Sequence, residues 1–290
     1  LNAGPVLDEC LAALARQTRG DFDIVVVDNS GCGRVRGKHN VGERTRVIEN
    51  PSNVGFGAAA NQGFRASAAP YLAVLNDDAA PDPQWLEKLI AGMESDARIG
   101  MCASRVLLAP SGLIDGAGML MAPDGSSKQR GHGEPAERYS QPEEVLFPSG
   151  SAALYRRAML DETGMFEESF FLYCEDTDLG LRGRWAGWHC LYVPEAVVYH
   201  KYSQSAGRAS PLKAWYVERN RLYTAVRNLP ARALLRVPFA TLARYFWHVW
   251  FLLHGRGKAA EYARGASALT LVWFVFRAQL AVAFRLAWLL

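Results

Sequence analysis

At 290 residues and 32.0 kDa the chain can bury a sizeable core and form one or two domains. Half of its residues are hydrophobic, 11% aromatic and 21% charged, which excludes a disordered, collagen-like or mucin-like chain. The net charge of +3 conceals a division, since residues 1–204 carry 19 Lys/Arg against 27 Asp/Glu and residues 205–290 carry 13 against 2, a pattern that predicts two regions with different surroundings.

Val6, Leu7, Leu11 and Leu14 follow Pro5 at helical spacing, which predicts a helix over 5–18. Phe22 to Asp28 is a β-branched run typical of a strand covered on both faces, and it ends in the polar triplet Asp28-Asn29-Ser30. Arg46–Glu49 is a further short strand. Asn53 to Ala69 is a Gly/Ala-rich loop leading into a small-residue helix. Tyr71–Leu75 is a buried strand closed by Asn76-Asp77-Asp78, and Pro83–Met93 a helix. Strand and helix alternate, with polar residues gathered at the carboxyl ends of strands, the edge at which open α/β sheets bind ligands.

Residues 110–148, rich in Gly, Pro, Ser and charge, predict an active-site loop or irregular insertion, because α/β character resumes after them. Then come a strand (Ala152–Tyr155), a helix (Arg157–Thr163), a Phe-rich turn, a helix opened by Glu175-Asp176-Thr177-Asp178 and running through Trp185, and two short closing strands, Cys190–Val193 and Ala196–Tyr199.

Leu234–Leu253 and Leu269–Leu290 are long apolar segments interrupted by arginines; the second has 18 apolar residues of 22. That length reaches across a bilayer, but each interior arginine costs roughly 2.5–3.5 kcal/mol on insertion scales. Aromatic residues and arginines together fit helices lying in a membrane interface. A re-entrant or spanning hairpin and a soluble helical subdomain are the other readings. Five cysteines, an odd number without a C-x-x-C pair, argue against a disulfide scaffold or structural zinc and fit a reducing compartment.

Four constellations carry possible chemistry. Asn76-Asp77-Asp78 presents hard oxygen ligands suited to magnesium or manganese, and reads equally as a polar turn. Asn53-Val54-Gly55-Phe56-Gly57-Ala58-Ala59-Ala60-Asn61-Gln62-Gly63 permits close backbone approach to an anionic group, or is a bare Gly-rich turn; it lacks the G-x-G-x-x-G spacing of a dinucleotide fingerprint. Glu175 and Asp176 beside Phe170-Phe171-Leu172-Tyr173 combine carboxylates with an apolar wall that raises pKa and suits a general base, while Asp176 and Asp178 also suit helix capping. His200 closes an apolar run and is either an ordinary histidine or a further metal ligand; His39, His132, His189, His248 and His254 have no comparable company in the sequence.

In this order and spacing, with Gly164-Met165-Phe166-Glu167, Arg182 and Gly187-Trp188 added, the segments resemble family 2 of the nucleotide-sugar glycosyltransferases. The likeness is to its rhamnosyltransferase-like branch and extends over roughly residues 1–225. The resemblance implies a GT-A fold, an α/β Rossmann-like, mostly parallel sheet flanked by helices over residues 1–205. Residues 206–290 would then be a basic, apolar, helical, membrane-interfacial tail. It implies a nucleotide site at Asp28, Asn29, Asn53, Gly55, Asn61, Asn76 and Asp77, a divalent magnesium or manganese ion at Asp78 and His200, and Asp176 as catalytic base supported by Glu175. The family opens with an apolar strand ending in a Thr-Tyr-Asn-like triplet. Here Leu1-Asn2 stands where that strand would just have ended, so one strand and part of the nucleotide site are expected to be missing, which puts the activity of this chain itself in question.

One base without a separate nucleophile implies single displacement and inversion at the anomeric carbon. The donor implied is dTDP-rhamnose or a UDP-hexose, and the acceptor a saccharide, lipid-linked, in cell-surface polysaccharide synthesis. The basic tail suits the cytoplasmic face of the inner membrane, where anionic headgroups attract Lys/Arg at about 1 kcal/mol each, with peripheral or monotopic attachment. Its basic residues alternate with apolar runs, which speaks against a nucleic-acid partner. The competing class is a catalytically silent module that binds nucleotide sugar or membrane; a nicotinamide-dependent dehydrogenase is disfavoured by the absent fingerprint.

Overall fold

Short apolar strands alternating with amphipathic helices bury both faces of one sheet. The computed structural model describes residues 5–35, 44–201, 211–255 and 268–289. Leu1–Gly4, His39, Leu290 and the expected domain boundary at 205/206 lie outside them. The strands are β1 (Ile24–Asp28), β2 (Thr45–Glu49), β3 (Tyr71–Leu75), β4 (Ala79–Pro81), β5 (Ile99–Leu108), β6 (Ile114–Gly116), β7 (Met119–Met121), β8 (Ser127–Gln129), β9 (Glu143–Val145), β10 (Ala152–Arg156) and β11 (His189–His200). The helices are α1 (Pro5–Ala15), α2 (Phe56–Arg65), α3 (Trp85–Glu94), α4 (Arg157–Thr163), α5 (Glu175–Trp185), α6 (Pro211–Asn228), α7 (Ala231–Leu234), α8 (Val237–Leu253), α9 (Ala268–Phe284) and α10 (Leu286–Leu289).

β1 and β2 form a parallel pair, and the seven-stranded sheet runs β3-β10-β5-β11-β4, with β6 on β5 and β9 on β11. β5 and β11 are parallel, but β10 is antiparallel to both β3 and β5, and β4 to β11. The sheet is therefore mixed, not mostly parallel. The reason is topological: the chain leaves β5 at its carboxyl end, lays β6 there, and after β7 to β9 starts β10 from that same end. A parallel return would require a crossover.

Side chains alternate across the sheet. Met101, Ala103, Ala153 and Tyr155 face a layer containing Phe64, Met159, Phe166 and Leu179. Cys102 and Leu154 face Trp85, Leu86, Leu89 and Met93 of α3. Trp85 satisfies its buried ring N–H on Ser104 Oγ at 2.8 Å.

β5, the long central strand, is an element the sequence pattern does not announce. Buried on both faces, its Gly, Cys, Ala and Ser residues show no alternation and little β-branching. The two closing strands are one strand, β11, whose register shifts between Val193 and Val197 around Pro194, a residue without an N–H to pair. The 110–148 insertion is ordered, as strand pieces β6 to β9.

Beyond the sheet, α6 packs against α5 and α9. Fully buried Arg221 joins Glu218, the Asp124 carbonyl and Thr241 Oγ1, while Arg244 of α8 pairs with Asp124 at 2.8 Å and with Glu218. Phe239, Leu242, Phe246 and Trp247 of α8 and Trp273, Phe276 and Phe284 of α9 are exposed. No helix among the described residues is long and apolar enough to cross a membrane.

α5 lies so close to the sheet layer that a Cβ on Gly180 would stand 2.2 Å from that of fully buried Phe147. Gly180→Ala should therefore destabilise the fold by about 1–3 kcal/mol, read as a lower urea midpoint with an unchanged slope.

Candidate active site

The register of β11 assembles the first half of the site. His200 lies opposite Ala79 of β4 on one side and Leu108 of β5 on the other, so the residue before β4, Asp78, and the β6 residue Asp115 converge on its ring. His200 Nε2 lies 3.0 Å from Asp78 Oδ1, and Nδ1 lies 2.7 Å from Asp115 Oδ2. All three side chains are buried. Burial alone would lower the imidazole pKa, but hydrogen bonds to Asp115 and Asp78 raise it to about 9. Asn76 Nδ2 lies 3.5 Å from the same Nε2. Asp77 is half-buried beside them, and burial with the neighbouring Asp78 charge pushes its carboxyl up. His132, given no partner by the sequence, places Nδ1 3.1 Å from Asp115 Oδ1.

A web of amides forms the second half. Asn29 donates to Asn53 Oδ1 at 2.8 Å and to the Gly55 carbonyl at 3.2 Å, and its own Oδ1 accepts from Val54 N–H at 3.0 Å. Asn50, which the sequence reading does not single out, bridges Asn29 and Gln62. Asp28 is buried at the end of β1. Burial pushes its carboxyl up, but hydrogen bonds from Ser30 and the Val35 N–H outweigh that and hold it below its ordinary value. Asn61 is not brought into this web. It is 1% exposed on the inner side of α2, where its amide bonds both N–H and C=O of Phe166 and reaches Glu168.

Between the halves runs a contorted loop. Phe171, Tyr173 and Cys174 all have positive φ, at 65°, 70° and 68°. With ψ −55° and a 2.8 Å bond from Leu172 N–H to the Phe170 carbonyl, Phe171 centres a γ-turn of the strained hand. Non-glycine residues in such conformations cost about 1–3 kcal/mol each and persist only where the surroundings impose them. One neighbour is the Gly-rich turn: Phe56 N–H donates to the Phe171 carbonyl at 2.7 Å, and a Cβ on Gly55, whose φ is 91°, would meet that oxygen at 2.4 Å. Gly55 is therefore required by close approach as well as by its own dihedral.

Directly after this loop, α5 presents its acids. Asp176 is half-buried; Oδ2 accepts from Gly150 N–H at 3.0 Å and Oδ1 from Thr177 N–H at 2.7 Å. Burial outweighs these bonds and raises its pKa. Glu175 is buried with Oε2 unpartnered, and desolvation together with the Asp176 charge pushes it to about 8. Asp178, fully buried, is instead structural, held by Arg182, Arg227 and Asn228. Ser149-Gly150-Ser151 joins the halves: Gly150 serves Asp176, and the Ser151 carbonyl accepts from Asn76 N–H at 2.9 Å.

The sequence profile of glycosyl transferase family 2 matches residues 1–164, more than half of the chain. The chain belongs to that family. The family 2 chain is 28% identical over 235 residues to an N-acetylglucosaminyl-diphospho-decaprenol L-rhamnosyltransferase of Mycobacterium tuberculosis, covering 71% of this chain and 75% of that protein. It is 27% identical over 208 residues to a pre-mycofactocin glycosyltransferase of the same organism, covering 71% and 43%. Among solved structures it resembles GalNAc-T7 with UDP, GalNAc and Mn2+ (TM-score 0.58, 16% identity, 74% of this chain and 44% of that one, so it spans less than half of that protein). It also resembles the mannosyltransferase PcManGT of Pyrobaculum calidifontis with GDP-Man and Mn2+ (TM-score 0.56, 16% identity, 99% and 84%). The fold is GT-A, α/β with a central sheet flanked by helices.

The family match ends before α5 and β11, so the geometry of Asp176 and His200 rests on the structure alone. Among the described residues no three His, Cys, Asp or Glu side chains surround one metal position. Asp115 stands on the far ring nitrogen of His200, leaving Asp78 Oδ1 and His200 Nε2 as a converging pair. A hard carboxylate beside an imidazole oriented by a second carboxylate fits a divalent ion that displaces the Nε2 proton and takes its remaining ligands from a diphosphate.

Glu175 yields a pH prediction. Its folded pKa of about 8 exceeds the ordinary 4.5, so between those pH values the unfolded chain releases a proton that the folded chain keeps, and stability falls as pH rises. Glu175→Gln should flatten that part of the stability–pH curve and add on the order of 1 kcal/mol or more at pH 8, measured by denaturant titration at pH 5 and pH 8.

Proposed function

We propose that this family 2 glycosyltransferase is a divalent-metal-dependent, inverting enzyme. It transfers a sugar, rhamnose from dTDP-rhamnose or a hexose from a UDP-hexose, to a hydroxyl of a lipid-linked saccharide in cell-surface polysaccharide synthesis. The observation that carries the reading is Asp176, half-buried, raised in pKa and held by Gly150 N–H in the stretch that also pairs with Asn76 beside Asp78 and His200. The mycobacterial rhamnosyltransferase, named for a decaprenol-linked substrate, supports the acceptor class.

In this reading Asp28, Asn29 and Asn53 receive the nucleotide, with Gly55 allowing close approach, Asn76 and Asp77 flanking the diphosphate and Asn61 holding α2 from beneath. Asp78 and His200 would hold magnesium or manganese, which when bound neutralises charge on the diphosphate. Asp176 takes the proton of the acceptor hydroxyl as its oxygen bonds to the anomeric carbon; the bond to the diphosphate oxygen breaks and its electron pair leaves with the nucleotide, inverting the centre. Neutral Glu175 next to Asp176 adds no second negative charge there.

Residues 1–205 form the catalytic unit, and residues 206–290 set it on the cytoplasmic face of the membrane. The exposed aromatic and aliphatic residues of α8 and α9 enter the interface, and arginines meet anionic headgroups at about 1 kcal/mol each.

Asp176→Asn should lower kcat by about 10²–10⁴-fold with donor affinity unchanged, assayed with dTDP-rhamnose and UDP-hexoses on a polyprenyl-diphosphate saccharide. Proton NMR of the product should show the inverted anomer. Asp78→Asn should abolish the manganese dependence of nucleoside-diphosphate binding in calorimetry. Metal-dependent nucleotide binding with no transfer from any donor would replace this reading with a silent nucleotide-sugar-binding module.

A further inference from the structure

The strained loop Phe170–Cys174 is held from a direction the catalytic proposal does not use. Its turns point several carbonyls inward, toward α6. There Asn220, fully buried, aims Nδ2 at three of them: the Phe170 carbonyl at 2.9 Å, Leu172 at 2.8 Å and Tyr173 at 2.7 Å. Its Oδ1 accepts from Arg219 Nε at 2.8 Å, which fixes which end of the amide carries the hydrogens. Arg219 adds bonds from Nη2 to the Ser169 and Phe170 carbonyls at 3.1 and 2.8 Å. Aromatic contacts close the seam, with Phe171 stacked on Tyr216 at 5.2 Å and Phe170 edge-on to Tyr223 at 6.0 Å.

The loop has two outlets. Forward along the chain it leads within two residues into α5 and Asp176. Sideways, the Phe171 carbonyl accepts from Phe56 N–H, at the start of α2 beside Gly55. We propose that Asn220 is a positioning residue for transfer: its amide gathers the carbonyls of residues 170, 172 and 173 and so sets the Gly55–Phe56 turn and Asp176 in one mutual geometry. Carboxylate, hydroxyl or methyl in its place cannot supply two hydrogens to three converging oxygens, and a carboxylate of the same shape repels them. α6, in the basic part of the chain, thereby acts on the catalytic loop. The step from loop geometry to turnover rests on the role proposed for Asp176; the loop geometry itself does not.

The test uses the full chain with Asn220→Asp, which preserves shape and removes the donor, and Asn220→Ser, which keeps one hydroxyl hydrogen in a smaller volume. Two readouts are taken. In amide hydrogen exchange, Asn220→Asp is expected to accelerate exchange at Phe56, Leu172 and Gly150 while β5 and β11 stay protected. In kinetics, it is expected to lower kcat/KM by about 100-fold, the scale of a misplacement near 1 Å, and to weaken donor binding as well. Asp176→Asn, by contrast, leaves donor binding intact. Asn220→Ser should fall between. A variant that only loses overall stability would exchange faster everywhere and keep its rate constants well below its unfolding temperature, which overturns the proposal. Wild-type rates and local protection in either folded variant overturn it too, and Asn220→Ser carries that decision if Asn220→Asp does not fold. Should the wild-type chain transfer no sugar, the exchange pattern and nucleotide affinity still decide the role of Asn220, and only the reading of Asp176 fails.

Discussion

The register of β11 is the constraint on which the site depends. Its last residue, His200, is paired at once with the start of β4 and the end of β5, and these two pairings draw Asp78 and Asp115 to opposite nitrogens of one ring. A slip of one residue would turn His200 to the other face of the sheet. The shift at Val193–Val197 absorbs an irregularity before the ladder reaches the functional end, so that the final residues, Val197 to His200, pair in step with Arg105 to Leu108.

Around that ladder the molecule tolerates costs that a purely structural protein would avoid. Two adjacent carboxyls, Glu175 and Asp176, are carried out of water with only one of them well bonded. Three non-glycine residues take left-handed dihedrals just before them. Such features persist where the rest of the fold over-determines them. Here the over-determination has identifiable sources: Gly55 and Phe56 from α2, Asn220 and Arg219 from α6, and the Arg182–Asp178–Arg227 grip on α5.

Much of this was legible in the residues. Runs such as Tyr71–Leu75 and Arg157–Thr163 gave elements with the observed bounds, because apolar alternation and capping are local. The acids at 77–78 and 175–176 stood out for the same reason. What was hidden is non-local. β5 lacks a pattern because burial on both faces removes alternation. Asp115 lies inside an insertion that reads as irregular, and nothing near it in sequence tells that β6 will fold back onto β5. Asn50 and Asn220 are single amides whose meaning lies in partners up to 50 residues away. Asn61 shows the reverse error: a polar residue in a glycine-rich motif invites a ligand role, yet its partners are Phe166 and Glu168.

The grip of α6 has a consequence for how the chain can be divided. Charge changes sign near residue 205, but Asp178 shares its buried carboxylate with Arg227 and Asn228 from beyond that point. A fragment trimmed at the charge boundary, the obvious choice for a water-soluble reagent, would forfeit those partners and the donor of residue 220 together. Arg182 would still hold that carboxylate, but two of its three partners would be gone. A piece that keeps these contacts therefore has to extend at least through Asn228, one helix further than the charge pattern alone would draw it.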